Sequence, residues 1–169
     1  CNTVHLLGVA DIHFWHGFDR VVAGLADYYR RPHEKEVIFH IVGGGSRFTV
    51  PELREQVREQ GMEERVVLHG PLWGEALDRA FEEADLGIAS LGRHRNGITH
   101  IKTLKNREYA ARGIPFVYSE NDSDFDAMPY VLKAPADESP IDIDALLHFL
   151  DGVDRDPAHI RASIEDTLS

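Results

Sequence analysis

The chain has 169 residues, 43% apolar and 28% charged, a globular profile long enough for one domain with a real core. Its formal net charge of -11 disfavours nucleic acid or an anionic membrane as a partner. No run of about 18 apolar residues occurs, so no transmembrane span is expected. The single cysteine, Cys1, excludes an internal disulfide and a thiolate metal cluster.

The opening CNTVHLLGVADI has no basic stretch ahead of its apolar run, so no signal peptide is expected. It lacks an initiator Met and reads as a processed chain or a piece of a longer one. One cysteine fits a reducing compartment.

Val4–Val9 reads as a first strand buried on both faces. Gly17–Tyr29 carries Phe18, Val21, Val22, Leu25 and Ala26 at helical spacing. Glu36–Val42 is a second strand, ended by Gly43-Gly44-Gly45. A helix opens at Val50-Pro51-Glu52 and runs to about Gln60, with Pro51 in its first turn and Gly61 at its end. Arg65–Gly70 is a third strand. Gly74–Ala84 is a helix expected to turn Ala76, Leu77, Ala80 and Phe81 inward. Ala84–Ser90 is a fourth strand, and Leu91–His100 a glycine-containing loop. A helix over about Lys102–Arg112 leads into a fifth strand, Ile114–Ser119. Glu120–Asp126 is an acidic loop and Tyr130–Lys133 a short sixth strand. Ile141–Leu150 and Pro157–Leu168 are amphipathic helices. No internal repeat and no long linker interrupts the order.

Strands buried on both faces alternate with helices. The pattern predicts a Rossmann-like open parallel sheet with helices on both faces. Ligands of such sheets bind beyond the carboxyl ends of the strands. The loops at that edge are Ala10–His16, Gly43–Thr49, Gly70–Gly74, Ser90–Ile101 and Ser119 onward.

Two of these loops carry chemistry. The stretch from Arg93 to Arg107 holds Arg93, His94, Arg95, His100, Lys102, Lys105 and Arg107, with no acid until Glu108. Basic residues at a helix N-terminus oppose the macrodipole unless an anion sits there. The stretch is therefore either a solvated basic turn or an anion site. Glu108 stands three residues after Lys105. It either pairs with that lysine along the helix or accepts from the hydroxyls of a ribose.

The triplet Gly43-Gly44-Gly45 follows the second strand, not the first, and no GxxxxGK[ST] occurs. Nicotinamide binding and P-loop hydrolysis are thus poorly supported. The triplet is either a tight turn or a backbone surface pressed against a ligand. His13 and His16 flank Phe14-Trp15 at the ligand edge, as surface histidines or as donors to an oxygen, with Asp11 near enough to orient one. Trp15 and Trp73 pack on the domain or on a partner. There is no HExxH and no Gly-x-Ser-x-Gly elbow, so a metalloprotease and a hydrolase triad lack support. A receiver-like signalling domain would want several acids after the first strand, where Asp11 stands alone.

The succession GVADIHFWHGFDRVVAGLADYY, FHIVGGG, RVVLHGPLWGEALDRAFEEADLGIASLG and IKTLKNREYAARGIPFVYS resembles the carboxyl-terminal, donor-binding domain of retaining glycosyltransferases of the two-domain GT-B fold, family four. The resemblance covers roughly Val4–Ser119, with a looser tail to Leu150. It implies that residues 1–169 form one nucleotide-sugar-binding domain whose amino-terminal acceptor domain lies outside this chain. The parent enzyme would move a sugar from a nucleotide-sugar to a saccharide or lipid-linked acceptor, with retention and without a metal or other cofactor, in polysaccharide synthesis. The implied location is cytoplasmic, with the parent at the inner face of a membrane. The isolated domain would not transfer sugar. The other class is a non-catalytic nucleotide or nucleotide-sugar binding module.

The resemblance also assigns residues. Glu108 matches the carboxylate that holds the ribose. Gly97, Ile98, Thr99, His100, Lys102 and Thr103 match the backbone and side chains around the diphosphate and sugar. Lys105 matches a motif lysine, and His16 stands where the family has the lysine that neutralises the diphosphate; these two take the catalytic roles. Gly43, Gly44 and Gly45 match the glycine turn near the donor, and Leu72 and Trp73 the border of the base. The sequence departs from the family at Asp11, in place of an arginine, at His16, and at Ile101, in place of a further glutamate. Arg93, Arg95, Lys102 and Lys105 are the cations that would compensate.

Overall fold

The computed structural model describes residues 2–168. Cys1 and the thiol inference drawn from it lie outside the described residues. Six parallel strands form one sheet: β1 (Thr3–Val9), β2 (Glu36–Val42), β3 (Val66–Gly70), β4 (Leu86–Ile88), β5 (Phe116–Tyr118) and β6 (Val131–Lys133), in the order β3-β2-β1-β4-β5-β6. The helices are α1 (Phe18–Tyr29), α2 (Thr49–Glu59), α3 (Gly74–Glu83), α4 (Leu104–Ala111), α5 (Ile143–Gly152) and α6 (Pro157–Leu168). Short 3-10 turns occupy Phe14–His16 and Arg93–Asn96. The chain order reverses between β1 and β4, which lie side by side through Leu6–Leu86, Leu7–Gly87 and Gly8–Ile88.

Alternation along the strands sorts the core into two layers. Leu6, Phe39, Ile88 and Val117 face α1, α2 and α5, where Val21, Val22, Leu25, Leu53, Val57, Leu146 and Leu150 are buried. Leu7, Val42, Phe116 and Tyr118 face α3, α4 and α6, which contribute Phe81, Tyr109, Ala110 and Ile160. Two strand glycines make room for aromatic rings. A Cβ on Gly8 would stand 2.7 Å from Phe18, and one on Gly87 would stand 2.6 Å from Tyr109 on the opposite face.

Several boundaries move for identifiable reasons. α4 begins at Leu104, not Lys102, because Thr103 is extended and its hydroxyl accepts the Asn106 N–H at 3.2 Å. α5 begins at Ile143 because Asp142 caps it through the Ala145 N–H at 3.0 Å. β4 and β5 are each trimmed to three residues, yet Asp85 and Ala89 still donate to His5 and Val117. Ala76 is exposed rather than inward: α3 is anchored by Phe81, with Leu77 and Ala80 only half-buried. The acidic loop is folded inward. Glu120, Asp122 and Phe125 are buried, Asp122 accepts from the Asn106 amide at 3.1 Å, and Asp126 accepts from Tyr118 and Lys133.

The Tyr109 hydroxyl lies 3.0 Å from the carbonyls of both Leu7 and Ile88, and burial pushes its pKa well above the ordinary phenol value. Tyr109→Phe is expected to lower stability by about 1–2 kcal/mol. Gly87→Ala is expected to cost about 1–3 kcal/mol, because the buried ring cannot retreat. Urea denaturation of the two variants at pH 7 measures both, and an unchanged midpoint for either contradicts the packing described.

Candidate functional site

The loops after β1 and β4 are tied together at the point where strand order reverses. Leu91 and Gly92 donate to the carbonyls of His16 and Trp15, both at 3.0 Å. From α1, the buried Arg20 donates to the carbonyls of Leu91 at 2.6 Å and Ser139 at 2.8 Å. Arg95 forks onto Asp19 at 3.0 and 2.9 Å, reaches Glu138, and donates to the Phe14 carbonyl at 2.7 Å. These bonds hold a rigid rim around a cleft of about 410 Å³. The cleft is bounded by Ala10, Asp11, His13 and His16 after β1, by Ser90 and Arg93 after β4, and by Ile101, Thr103, Leu104 and Lys105 at the start of α4.

The charges in the cleft are sorted by their partners. Lys105 donates to Glu108 at 3.0 Å, and Glu108 also lies 3.6 Å from Arg112. Lys102 and Arg107 both pair with Asp124, at 3.4 and 3.0 Å. Arg95 is held by Asp19 and Glu138, and His94 by Glu138. Arg93 differs. It makes no ion pair among the described residues, lies over the Trp15 ring at 5.4 Å and donates to Ser90 Oγ at 3.3 Å. Of the cations that would compensate for the departures at Asp11 and His16, Arg93 is the one that faces the cleft without a carboxylate.

His16 lines the cleft as a neutral imidazole. Burial, then the nearby Arg93 charge, lowers its pKa to about 4. Its Nδ1 accepts the His13 N–H at 2.9 Å, which leaves Nε2–H to donate. His16 therefore offers a hydrogen bond where a lysine would offer charge. His13 stacks on Trp15 at 4.2 Å, and its Nε2 lies 3.3 Å from the exposed Asp11 carboxylate.

The other expected site residues are divided. Of the loop from Gly97 to Thr103, only Ile101 and Thr103 reach the cleft. Gly97 ends the 3-10 turn with φ 74°, and the Ile98 N–H closes back on the Arg93 carbonyl. Thr99 and Ile101 exchange backbone hydrogen bonds with Asn121, and His100 pairs beside it. The glycine triplet serves the protein's own loops. Gly43 has φ 130° and a Cβ there would fall 1.7 Å from the Ala10 carbonyl oxygen, while the Gly44 carbonyl accepts the Ile12 N–H at 2.8 Å. Leu72 faces a separate cavity of about 280 Å³ on the α3 side of the sheet. Trp73 stands 77% exposed at the start of α3.

That second cavity holds a feature not found by sequence reasoning. His5, His40 and His69, on β1, β2 and β3, form a chain of ring hydrogen bonds, each 2.9 Å. Burial, then its two histidine neighbours, lowers the His40 pKa to about 4. Alternation along each strand puts these rings on one face, a relation visible only once strand pairing is known. Among the described residues no group of three or more His, Cys, Asp or Glu side chains is arranged to hold a metal ion, and no helix is long and apolar enough to cross a membrane.

Glu120 is the other residue missed. It follows β5, is 2% exposed, and neither carboxyl oxygen has a hydrogen-bond partner. Burial, opposed by Arg93, raises its pKa to about 8. Sequence placed it in an acidic loop, where a solvated carboxylate is the ordinary state.

No family model and no curated protein matches the chain. Solved structures do match its fold. A glycosyltransferase of Rickettsia africae superposes with a TM-score of 0.73 at 14% identity, over 100% of this chain and 44% of that one. The Anabaena protein HepE, in complex with UDP, gives 0.72 at 16% identity, over 98% and 45%. The C-terminal domain of a group 1 family glycosyl transferase of Francisella tularensis gives 0.62 at 13% identity, over 99% and 86%. The fold is Rossmann-like and is that of the carboxyl-terminal domain of GT-B glycosyltransferases, as the resemblance implied, and the chain spans a little under half the length of the first two structures.

Between pH 4.5 and about 8 the folded chain holds a proton on Glu120 that the unfolded chain releases. This residue's contribution therefore lowers stability as pH rises through that window and levels off above it. Glu120→Gln is expected to gain on the order of 3 kcal/mol over the native chain between pH 5 and pH 8. Denaturant midpoints of both proteins across that range check it; a pH-independent difference would show that Glu120 is ionised throughout.

Proposed function

We propose that this chain is the donor-binding half of a glycosyltransferase that takes a nucleoside-diphosphate sugar in the cleft between β1 and β4. The observation that carries the reading is Arg93: a guanidinium facing the cleft at the switch point, with no ion-pair partner among the described residues. Structures of the same fold have been solved with UDP and with UDP-glucose bound. The start of α4 adds the macrodipole and Lys105, with Thr103 already satisfying one of the first-turn N–H groups.

In this reading the diphosphate lies against Arg93, Lys105 and the first turn of α4. His16 donates from Nε2 to a phosphate or sugar oxygen. Glu108 turns from Lys105 to the ribose hydroxyls, which releases the lysine toward the phosphates. As the bond from the anomeric carbon to the phosphate oxygen breaks, charge gathers on the leaving diphosphate. Fixed cations and N–H dipoles stabilise that charge without a metal.

Among the described residues, the large apolar side chains that stand exposed are Phe14, Phe48, Trp73 and Leu104, at 52%, 62%, 77% and 86%. They follow β1, β2, β3 and β4, all at the edge that carries the cleft. This rim supports a second, amino-terminal domain of the same polypeptide that supplies the acceptor site and closes over the donor. Transfer then requires both domains, with retention and with a saccharide or lipid-linked acceptor in polysaccharide synthesis, at the cytoplasmic face of a membrane. A second reading, a nucleotide-binding module without transfer activity, is favoured by the neutral His16 and by Asp11 at the mouth of the cleft. Sugar transfer by the longer polypeptide separates the two.

Calorimetric titration of this chain with UDP, GDP and ADP, without metal, tests the binding site. One nucleotide is expected to bind. Arg93→Ala is expected to weaken it by about 10- to 100-fold, the cost of a charge-assisted hydrogen bond, with Lys105→Ala and Glu108→Ala each also weakening it. Binding unaffected by Arg93→Ala would move the site elsewhere.

A further inference from the structure

Glu120 has a use that the donor reading leaves open. It sits directly behind the cleft wall. Ser119 donates to the Ser90 carbonyl at 3.0 Å, and Asn121 donates to Thr99 at 2.7 Å, so Glu120 is enclosed between the strand end and the loop that leads to α4. Both carboxyl oxygens are buried and without a partner. A buried carboxylate left in this state costs several kcal/mol, so the site holds the acid rather than its anion.

The charged and titratable groups around it are Arg93 from the 3-10 turn, Asp122 from its own loop, Lys133 from β6 and Tyr118 from β5. Three of the four are committed. Lys133 donates to Asn121 and Asp126 at 3.2 and 3.0 Å, Tyr118 donates to Asp126 at 2.6 Å, and Asp122 accepts from Asn106 at 3.1 Å and from the Asp124 N–H at 3.0 Å. Arg93 alone has charge to give; it makes no ion pair with Glu120 and couples to it only when that carboxyl is ionised.

We propose that Glu120 is a positioning residue that acts through Arg93, leaving the guanidinium to a diphosphate in the cleft while protonated and withdrawing it once ionised. The proposal rests on the donor reading and adds a proton to it. An anion on Arg93 removes the cation that would stabilise ionised Glu120, so anion binding favours the acid. By linkage, protonated Glu120 favours anion binding to the same degree. Ionisation near pH 8 has the opposite effect, because the new carboxylate draws Arg93 off Ser90 Oγ and repels the phosphates. Affinity therefore falls as pH rises through that value.

The test is UDP titration of this chain from pH 7 to pH 9, in parallel with Glu120→Gln. The nucleotide's own titration is common to both proteins and cancels in the comparison. The native affinity is expected to weaken by about fivefold more than that of Glu120→Gln, as for one proton coupled by about one pKa unit and read at pH 9. Arg93→Ala should lose that excess even with Glu120 in place. Equal pH profiles for the native chain and Glu120→Gln overturn the proposal while UDP binding at pH 7 sustains the donor reading. The infrared band of a protonated carboxyl, read without ligand, gives a second measure. It should be present at pH 7, fade above pH 8 and be absent from Glu120→Gln; its absence from the native chain at pH 7 also overturns the proposal. Pyrophosphate is titrated alongside UDP. Binding of pyrophosphate alone, with the pH excess, removes the nucleotide reading and keeps the coupling, whereas no binding of either ligand removes both.

Discussion

A single phenol holds the working end of this domain in place. α4 has almost no apolar face: Asn106, Tyr109 and Ala110 are its buried residues. Its position therefore depends on Tyr109, whose hydroxyl spans the carbonyls of Leu7 on β1 and Ile88 on β4. Those are the two strands between which the chain order reverses. The ring can lie so close to the sheet only because residue 87 is glycine. Asn106 makes the second attachment, to Asp122 behind β5. One turn earlier, the same helix presents Lys105 to the cleft. A polar helix that would gain little from packing is thus pinned by two buried polar anchors, and its first turn is left for chemistry.

Charge is distributed on the same principle. In a chain of net charge -11, the basic stretch between Arg93 and Arg107 is balanced by acids from distant segments: Asp19, Asp124 and Glu138. Each of these pairs keeps one partner exposed to solvent, which limits its contribution to stability. Their effect is on orientation, since they spend the positive charge of Arg95, Lys102 and Arg107 outside the cleft. What remains within it is Arg93, Lys105 and a neutral His16. Under the proposed reading, such a site suits a ligand that brings concentrated negative charge together with groups able to draw Lys105 from Glu108.

The fold was readable because it depends on periodicity. Every strand and helix expected from alternation or helical spacing is present; the differences are at caps such as Thr103 and Asp142, where one side-chain hydrogen bond sets the boundary, in the shortened β4 and β5, and in the facing of Ala76. The cleft was half readable. The basic stretch, Lys105, His16 and the strand-end loops were visible as residue types in positions dictated by the topology. The pairing of Arg95 and the isolation of Arg93 depend on Asp19 and Glu138, tens of residues away, and no local pattern encodes them. Gly43 shows the same limit from the other side. A glycine after a strand suits a ligand or a close backbone equally, and the close approach to the Ala10 carbonyl is visible only in three dimensions.

The distribution of unsatisfied groups gives an independent reason to regard this edge as the functional one. Five buried side-chain atoms lack a hydrogen-bond partner among the described residues, and four of them belong to His94, Asn106 and Glu120. These three residues lie in the turn after β4, in α4 and after β5, the segments that build and back the cleft. A folded chain satisfies its interior polar groups almost everywhere, because each failure costs about 1–3 kcal/mol. Failures spread at random would reflect loose packing. Failures concentrated behind one cleft, beside an unpaired arginine and a helix whose first turn is basic, describe a region in which several local rules are broken at once. Of these residues, Glu120 is the one coupled to a charge that faces the cleft, the guanidinium of Arg93.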